Sequence, residues 1–569
     1  MTHQAPLGAG QFGLLGDEDG AKLGQKSALT CDTCKVVVAL LQALLDSGGV
    51  REDVEKVAVY FCETFHIEDR NVCSTIVPLF SDEVLTVLDS VALNPQEACS
   101  VLIGPSCATG YNPYDQPWNV TLPDVPKPPV TPVPPPKPNS PVNRILHLSD
   151  THFDPYYTPG LTNDCGEPLC CRVPNPPGNG PTAAGYWGDY NCDTPLQTLE
   201  NLMQYLASMQ DSFDWVYWTG DLPPHNVWNQ SRDYELSILN TTVALLRKYL
   251  PSKVVFPAVG NHESSPVNSF PPPYIKGNQS NQWLLNAFAD QWGAWLPDTA
   301  LETLRWGGYY SAQIREGLRV ISLQTNYGND QNYWLLINST DPAGQLAWFV
   351  DQLQAAEDSG EKVHIIGHIP PGDTIQWWRT NYIKIINRYE STIVGQFFGH
   401  THRDSFSVFY DINNSSRPFS VANIGGSVTT YQGLNMGFHV YTVDGDYPGT
   451  TNALLNAEGY YMNVTDANLS NEPKWLNEYD VKSAYGMSSL GPGDWDALIT
   501  RLEQDDDLFM KFYSYYYKMN IPGPCDASCK TSLINDLQTR LNDSPTNMKL
   551  PSGTTAEDVL RYRKAHKVC

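Results

Sequence analysis

Polar side chains that can bind metal ions follow five apolar runs of this 569-residue chain. They are Asp150 and His152 in LSDTH, Asp221 in TGD, Asn261 in VGNHE, His368 in IIGH, and His400 and His402 in FFGHTH. Residues two apart on a strand point to the same face, so paired residues such as His400 and His402 can serve one site. Ligands of α/β sheets bind beyond the carboxyl ends of the strands. The sequence therefore predicts that these loops converge on one cluster.

The ligand types in this cluster predict a dinuclear metal centre. The ligands divide into two sets that share one residue: Asp150, His152 and His402 for one ion, Asn261, His368 and His400 for the other, and Asp221 as the bridge. Mixed imidazole, carboxylate and amide ligands favour two Zn²⁺ per chain over Mn²⁺ or Fe²⁺. Two ions ~3.5–4 Å apart can activate water and clamp an in-line displacement at phosphorus.

The order of these motifs resembles a known family. D-x-H, G-D, G-N-H-E, G-H and G-H-x-H, each after an apolar run, are typical of the calcineurin-like metallophosphoesterases. The resemblance implies a phosphoesterase with a layered α/β fold. Purple acid phosphatases share this scaffold but carry a tyrosine three residues after the G-D aspartate, where this chain has Pro224. An iron–tyrosinate centre is therefore not expected.

The chain divides into four regions by composition. Residues 27–110 are predicted to form helices stapled by six cysteines, and residues 111–141 form a proline-rich linker whose densest part, 123–141, favours a polyproline II spacer. Residues 142–445 alternate β-rich and helical runs, which predicts a layered α/β domain. Residues 446–569 are predicted to form a helical C-terminal domain.

The cysteine pattern of residues 27–110 resembles the saposin family. Its nested connectivity would join Cys31 to Cys107, Cys34 to Cys99 and Cys62 to Cys73, although six cysteines allow fifteen connectivities. Saposins bind lipid, so the resemblance implies peripheral membrane contact. A bundle that only packs against its neighbour is the alternative. A zinc site at Cys31-x-x-Cys34 is disfavoured because no second ligand pair follows nearby.

Other features predict an oxidising lumenal compartment. Three further local disulfides are expected, Cys165–Cys170, Cys171–Cys192 and Cys525–Cys529, which leave Cys569 unpaired. Ten glycosylation sequons point to the secretory pathway: Asn119, Asn229, Asn240, Asn278, Asn338, Asn413, Asn414, Asn463, Asn468 and Asn542. The first residues do not read as a signal peptide, and no apolar run reaches the ~18 residues of a membrane span. A lysosomal or secreted protein is expected.

The overall charge argues against a nucleic-acid partner. The chain has 36 basic and 62 acidic residues, for a formal net charge of −26. Such a surface cannot neutralise a row of phosphates.

Taken together, the saposin-like region, the linker, the phosphoesterase motifs and the C-terminal region resemble the acid sphingomyelinase family. The resemblance implies hydrolysis of sphingomyelin to ceramide and phosphocholine at acid pH. His262 is the first candidate for the acid that protonates the leaving group, and His225 is the second. Tyr431 is a weak candidate for contact with choline. The alternatives are a hydrolase of soluble nucleotides or other phosphodiesters, and a lipid-transfer protein with an inactive phosphoesterase domain.

Overall fold

The N-terminal region is a small bundle of disulfide-linked helices. The computed structural model describes residues 31–48, 50–91, 93–103, 114, 116–131 and 133–541. Its first helices are α1 (Cys31–Asp46), α2 (Arg51–Thr64), α3 (Arg70–Ser90) and α4 (Pro95–Ile103). The bond Cys34–Cys99 ties α1 to α4, and Cys62–Cys73 ties α2 to α3. The predicted partner of Cys31, Cys107, lies outside the described residues.

Two mixed β-sheets form the centre of the molecule. The first has the order β14-β13-β12-β1-β4-β5 and the second β15-β10-β11-β9-β8-β7-β6, beside a short β2–β3 pair. The strands are β1 (Val142–Leu148), β2 (Phe153–Asp154), β3 (Thr194–Pro195), β4 (Trp215–Trp218), β5 (Val254–Pro257), β6 (Tyr310–Arg315), β7 (Leu318–Ser322), β8 (Lys362–Ile366), β9 (Ile393–Phe398), β10 (Ser405–Tyr410), β11 (Pro418–Ile424), β12 (Met436–Asp444), β13 (Leu454–Met462), β14 (Trp475–Asp480) and β15 (Gln538–Thr539).

Helices surround this pair of sheets. They are α5 (Leu196–Ser208), α6 (Arg232–Tyr249), α7 (Gln282–Trp292), α8 (Asp298–Gly307), α9 (Gln345–Ser359), α10 (Gln376–Arg388), α11 (Val464–Ser470), α12 (Val481–Tyr485), α13 (Pro492–Gln504), α14 (Asp506–Tyr516) and α15 (Ala527–Asp536). The α5 and α6 sequences place apolar residues at helical spacing, and their buried leucines join the core of the first sheet. The layered α/β prediction is thereby confirmed for this part of the chain.

The two sheets face each other across a buried aromatic layer. The ring of Phe397 on β9 lies 4.9 Å from that of Tyr217 on β4 and 5.9 Å from that of His147 on β1. The hydroxyl of Tyr217 also lies 2.7 Å from Nδ1 of His364 on β8. All four side chains are buried. This layer fixes how the ends of β1, β4 and β5 sit relative to those of β8 and β9.

The region after residue 445, predicted to be helical, also contributes strands to both sheets. β13 pairs antiparallel with β12, and β14 pairs with β13, so both strands extend the first sheet. β15 pairs with β10 at the edge of the second sheet. The run 454–462 pairs because it can bury alternate residues against the sheet. The helices α11 to α15 agree with the rest of the prediction.

The proline-rich linker lies on the surface of the central domain. Among its described residues, 116–131 and 133–141 form no helix or strand of their own. The side chain of Asn381 accepts from Val120 N and donates to Trp118 O, and Arg388 donates to Val125 O. The linker is therefore held against α10 rather than acting as a free spacer.

Helix α3 joins the N-terminal helices to the central domain. Gln279 Nε2 donates to Asp82 O at 3.1 Å, and Asn71 donates to Glu167 at 2.8 Å. Glu83 is buried against Ser269 and Trp334, and within the described residues its Oε2 has no hydrogen-bond partner. Among the described residues, α3 is the one helix that is long and apolar enough to cross a membrane. Its most apolar stretch is 39% buried inside the protein.

The buried carboxyl group of Glu83 predicts that acid stabilises this junction. Burial raises the pKa of Glu83 from 4.5 to about 7. The folded protein then holds a proton that the unfolded chain has lost, so stability falls as the pH rises between those values. The free energy of unfolding falls by up to about 1.4 kcal/mol per pH unit. Glu83→Gln is neutral at every pH, and we expect its melting temperature to fall less between pH 4.5 and 7.

Asp89 is a matched control, because it is exposed on the same helix. We expect Asp89→Asn to follow the wild-type dependence of melting temperature on pH. If Glu83→Gln follows it as well, Glu83 does not titrate in this range.

Candidate metal centre

Five strand ends bring the predicted ligands together. Asp150 and His152 follow β1, Asp221 follows β4, and Asn261 follows β5, all from parallel neighbours in the first sheet. His368 follows β8, and the pair His400 and His402 follows β9, both in the second sheet. Six of these seven residues are buried, and His400 is half-buried. The cluster therefore lies where the two sheets meet.

The backbone at the cluster is unusual. Five of the seven ligand residues have positive φ angles: Asp150 (52°), His152 (36°), Asp221 (58°), His400 (72°) and His402 (59°). Such left-handed backbone is costly for residues with a side chain and concentrates at functional sites. Glycines make the close approach possible, because a Cβ at Gly260 would collide with Asp221 and one at Gly399 with Asp150.

The first set of ligands converges on a small space. His152 Nε2 lies 3.0 Å from His402 Nε2 and 3.4 Å from Asp221 Oδ2. Asp150 Oδ1 lies 3.6 Å from His402 Nε2. His152 Nδ1 is 2.7 Å from Pro223 O, which places its proton on Nδ1 and leaves the lone pair of Nε2 facing the cluster. Two imidazole nitrogens this close are well suited to share a cation.

The second set has the same construction. His368 Nε2 lies 3.1 Å from Asp221 Oδ2, 2.8 Å from Asn261 Oδ1 and 3.2 Å from His400 Nδ1. His368 Nδ1 is 2.7 Å from Thr219 O, so this ring also presents Nε2 to the cluster. Asp221 Oδ2 thus lies between the two sets and has no hydrogen-bond partner among the described residues. The residues fit a dinuclear centre bridged by Asp221.

The electrostatics of the cluster favour bound cations. Burial raises the pKa of Asp150 to about 7 and lowers that of His400 to about 3. Burial alone would lower the pKa of His368, but the carboxylate of Asp221 raises it to about 9. The cluster thus gathers carboxyl groups and imidazoles away from water, and some of these groups hold protons. Metal ions can replace the protons it holds, so metal binding and protonation compete.

Sequence reasoning missed Asp193, which binds the side chain of His225. Asp193 Oδ1 lies 2.9 Å from His225 Nδ1, and Asp193 Oδ2 accepts from the backbone N of His225. The outer nitrogen of His225, Nε2, has no hydrogen-bond partner among the described residues. Asp193 follows Cys192 in a loop with no motif, so only the three-dimensional contact reveals its role.

His225 and His262 lie beside the first set of ligands but differ in their surroundings. The ring of His225 lies 4.0 Å from that of His152, and the ring of His262 lies 4.8 Å from it. Within the described residues, neither ring nitrogen of His262 has a hydrogen-bond partner. Burial lowers the pKa of His262 to about 4. A lowered pKa disfavours the protonated form of His262 that the role of acid requires.

Tyr431 does not form a wall of an open headgroup site. Its side chain is 1% exposed and stacks on His225 with ring centroids 4.1 Å apart. Its hydroxyl donates to Pro168 O at 3.1 Å. Tyr431 packs against His225, and its burial does not support the prediction that it contacts choline.

The described disulfides coincide with the predicted pairs, and most of the sequon asparagines are exposed. Besides the two N-terminal bonds, the structure contains three that coincide with predicted pairs: Cys165–Cys170, Cys171–Cys192 and Cys525–Cys529. Seven sequon asparagines are exposed: Asn119, Asn229, Asn240, Asn278, Asn338, Asn413 and Asn414. Asn463 and Asn468 are half-buried, and the amide of Asn468 donates to Gly188 O, which opposes glycosylation there. Asn542 and Cys569 lie outside the described residues.

Comparison with known families agrees with this geometry. Residues 143–404 match the calcineurin-like phosphoesterases, and residues 419–545 match the C-terminal region of acid sphingomyelin phosphodiesterase. The site and fold therefore define a dinuclear metallophosphoesterase.

Relatives define the family more closely. The chain is 48% identical to the sphingomyelin phosphodiesterase of Bos taurus, over 91% of this chain and 83% of the relative, and 46% identical to that of Homo sapiens, over 93% and 84%. It is 33% identical to a cyclic GMP-AMP phosphodiesterase of Rattus norvegicus, over 69% of this chain and 88% of the relative. The chain belongs to the sphingomyelin phosphodiesterase family.

The bridging position of Asp221 makes it the most sensitive test of the centre. Asp221→Asn removes the charge that both ligand sets share, so we expect metal content to fall below two ions per chain. Phosphodiesterase activity should fall by more than about 100-fold, since partners outside the ligand set alone account for up to that much. Metal analysis and a hydrolysis assay on the same preparation check this.

Asp214 provides the control, because it is exposed and precedes the same strand, β4. We expect Asp214→Asn to retain its metal. Normal metal content and turnover in Asp221→Asn would contradict the shared-ligand geometry.

Proposed function

We propose that this protein hydrolyses sphingomyelin to ceramide and phosphocholine in an acidic compartment. The observation that carries the proposal is the pair of ligand sets sharing Asp221, which fits a phosphodiester between two cations. The choice of substrate is supported by the two mammalian relatives named sphingomyelin phosphodiesterase. The alternative substrate class, a soluble nucleotide, is supported by the more distant cyclic GMP-AMP phosphodiesterase.

The residues of the centre divide the work of the reaction. We propose two Zn²⁺, because imidazoles dominate the ligand sets, and when bound they supply positive charge to the phosphoryl oxygens and make water more acidic. Asp221 and the two histidine pairs would hold that charge in a buried, preorganised position. The Nδ1 contacts of His152 and His368 with backbone carbonyls fix the ring orientations.

We propose His225 as the residue that protonates the leaving alkoxide of ceramide. The Asp193 carboxylate holds Nδ1 and orients the ring, so Nε2, which has no hydrogen-bond partner among the described residues, is the nitrogen that can donate a proton. Tyr431 stacks on the ring of His225, and the tilted ring of His152 contacts it as well, so both restrict its motion. Among the described residues, the side chain of His262 makes no such hydrogen bond, and only its backbone N donates to a carboxylate, that of Asp221. The order of the two candidates is thus the reverse of the one expected from sequence.

The N-terminal helices are proposed to contact the lipid surface, as in saposins. Exposed apolar side chains lie on α1 and just before and within α2: Val36 (59% exposed), Leu40 (51%), Val50 (60%) and Tyr60 (64%). Burying such side chains in a lipid surface is favourable by roughly 25 cal/mol per Å². Helix α3, in contrast, faces the central domain. The arrangement allows one side of the bundle to meet the membrane.

A lysosomal or secreted location accords with this role. Five disulfides among the described residues require an oxidising compartment during folding. Seven exposed sequon asparagines can accept glycans without disturbing the fold. The proton held by Glu83 at low pH favours the docked N-terminal helices in an acidic lumen.

Leaving groups of different basicity test the role of His225. His225→Ala should lower kcat for sphingomyelin by about 10²–10⁴-fold, the usual contribution of a general acid. It should have little effect on a p-nitrophenyl phosphodiester, whose leaving group needs no proton. Metal content must be measured on the same sample, because His225 also lies within reach of His152 and His402.

The same two substrates can be assayed with His262→Ala. If this variant shows the selective loss and His225→Ala does not, the assignment of the acid is wrong. An equal loss on both substrates with full metal content would indicate stabilisation of phosphoryl charge instead.

Vesicle assays test the lipid-contact proposal. Leu40→Ser combined with Tyr60→Ser removes exposed apolar surface without touching the centre. We expect hydrolysis of sphingomyelin in vesicles to fall about 10-fold or more, given roughly 25 cal/mol per Å² of lost burial. Hydrolysis of a soluble phosphodiester should not change. Detergent-dispersed sphingomyelin should restore part of the activity.

Leu469→Ser is the control, because Leu469 is 82% exposed outside the N-terminal helices. It should behave as wild type on vesicles. An unchanged rate on vesicles for the double variant would mean that these side chains do not contact lipid. If nucleotides are hydrolysed and sphingomyelin is not in any form, the alternative function replaces the proposed one.

A further inference from the structure

A lysine from the C-terminal region is buried near the metal centre. Lys518 lies just beyond the end of α14 and is 1% exposed. Its Nζ donates to the backbone O and to the Oγ of Ser427, both at 2.7 Å. Burying an ammonium group is expensive, so such a group must be held by specific partners. Burial lowers the pKa of Lys518 to about 7, although the carboxylates of Asp150, Glu478 and Asp404 oppose the shift.

The fold makes room for this lysine at some cost. A Cβ at Gly437 would lie 2.8 Å from Lys518 Cδ, and one at Gly426 would lie 3.1 Å from it, so two glycines form the channel for the stem. Lys518 and Met519 both have positive φ, at 48° and 64°. Two successive left-handed residues other than glycine are disfavoured and call for compensating contacts.

Further hydrogen bonds tie the same residues to the segment after β11. Asn435 Nδ2 donates to Lys518 O at 2.9 Å, and Asn520 Nδ2 donates to Gly433 O at 2.8 Å. Residues 518–520, which we call the C-terminal strap, therefore contact the segment 427–435 at both of its ends.

The segment held by the strap reaches both the ligand loops and His225. Its backbone N–H groups donate to the ligand loops at three points: Ser427 to His402 O, Val428 to Ser149 O, and Thr429 to Asp150 O. The hydroxyl of Thr429 donates to Asp193 Oδ1 at 2.9 Å, and Asp193 in turn holds His225. Tyr431, at the far end, stacks on His225.

We propose that Lys518 is a positioning residue that holds the segment 427–431, and through Thr429 and Tyr431 sets the position of Asp193 and His225. Lys518 is buried behind this segment, so it acts without touching the substrate. The consequence for catalysis rests on the proposed function of His225, whereas the structural coupling of the strap to the segment does not.

Lys518→Met tests both parts, because methionine keeps the length of the stem and removes the ammonium group. Hydrogen–deuterium exchange of the whole protein, in the metal-free form, should be faster at the amides of Val428 and Thr429. With metal restored, kcat for sphingomyelin should fall about 10–100-fold, the loss that small misplacements of a catalytic group produce. KM and the rate on a p-nitrophenyl phosphodiester should stay within about threefold of wild type, because neither depends on the proton donor.

Two further variants make the result decisive. Lys511→Met is the matched control, since Lys511 on α14 donates to the backbone carbonyl of Ala484 at an exposed site. It should alter neither hydrogen–deuterium exchange nor the hydrolysis rates.

Ser427→Ala removes the hydroxyl that Lys518 binds and should show the same selective loss of kcat for sphingomyelin. Combined with Lys518→Met it should add little, as expected for two residues acting through one contact. If Lys518→Met does not fold, Ser427→Ala alone carries both measurements.

Unchanged exchange at residues 428 and 429 would overturn the proposal. An equal fall in the rates of Lys518→Met on the two substrates would also overturn it. The same holds if the rate losses of Lys518→Met and Ser427→Ala simply add in the double variant. If the wild-type protein hydrolyses neither substrate, the proposed function fails, but the exchange measurement still decides whether the strap holds the segment.

Discussion

The structure depends on one carboxylate shared between two sets of ligands. Asp221 Oδ2 lies 3.4 Å from His152 Nε2 and 3.1 Å from His368 Nε2. The first of these histidines belongs to one sheet and the second to the other. The site therefore exists only if the two sheets keep a fixed relative position, and the aromatic layer around Phe397 and Tyr217 supplies that constraint. A change of even one strand register would separate the halves of the centre.

The strain in the ligand loops fits this dependence. Left-handed backbone costs on the order of 1–3 kcal/mol per residue other than glycine, and it persists where the surroundings determine it. Here the surroundings are the parallel strands before each loop and the hydrogen bonds between loops, such as Asp150 N to Gly220 O and His152 N to Asp221 O. The sheets thus stabilise loop conformations that place carboxylates and imidazoles close together, and bound cations would stabilise the resulting charge.

The sequence predicted the ligand cluster because each ligand follows a short apolar run, and the ends of parallel strands meet. The same local reasoning failed after residue 445. The run 454–462 forms a strand because β12 offers it an edge, and that partner is close in space for reasons that local periodicity does not reveal. Asp193 and Lys518 were missed for a related reason. Their roles come from contacts with His225 and Ser427, which lie 32 and 91 residues away in sequence.

The two histidines beside the centre show how environment divides chemical roles between identical side chains. Both His225 and His262 are buried, and both lie next to the ring of His152. A carboxylate at hydrogen-bond distance from one ring nitrogen orients an imidazole and leaves the other nitrogen for the site. Asp193 gives His225 that partner, and Thr429 holds Asp193 in place from the other side. The orientation of His225 is thus determined by a loop aspartate and by a segment that the C-terminal strap holds. The acid function consequently extends across three parts of the chain that are far apart in sequence.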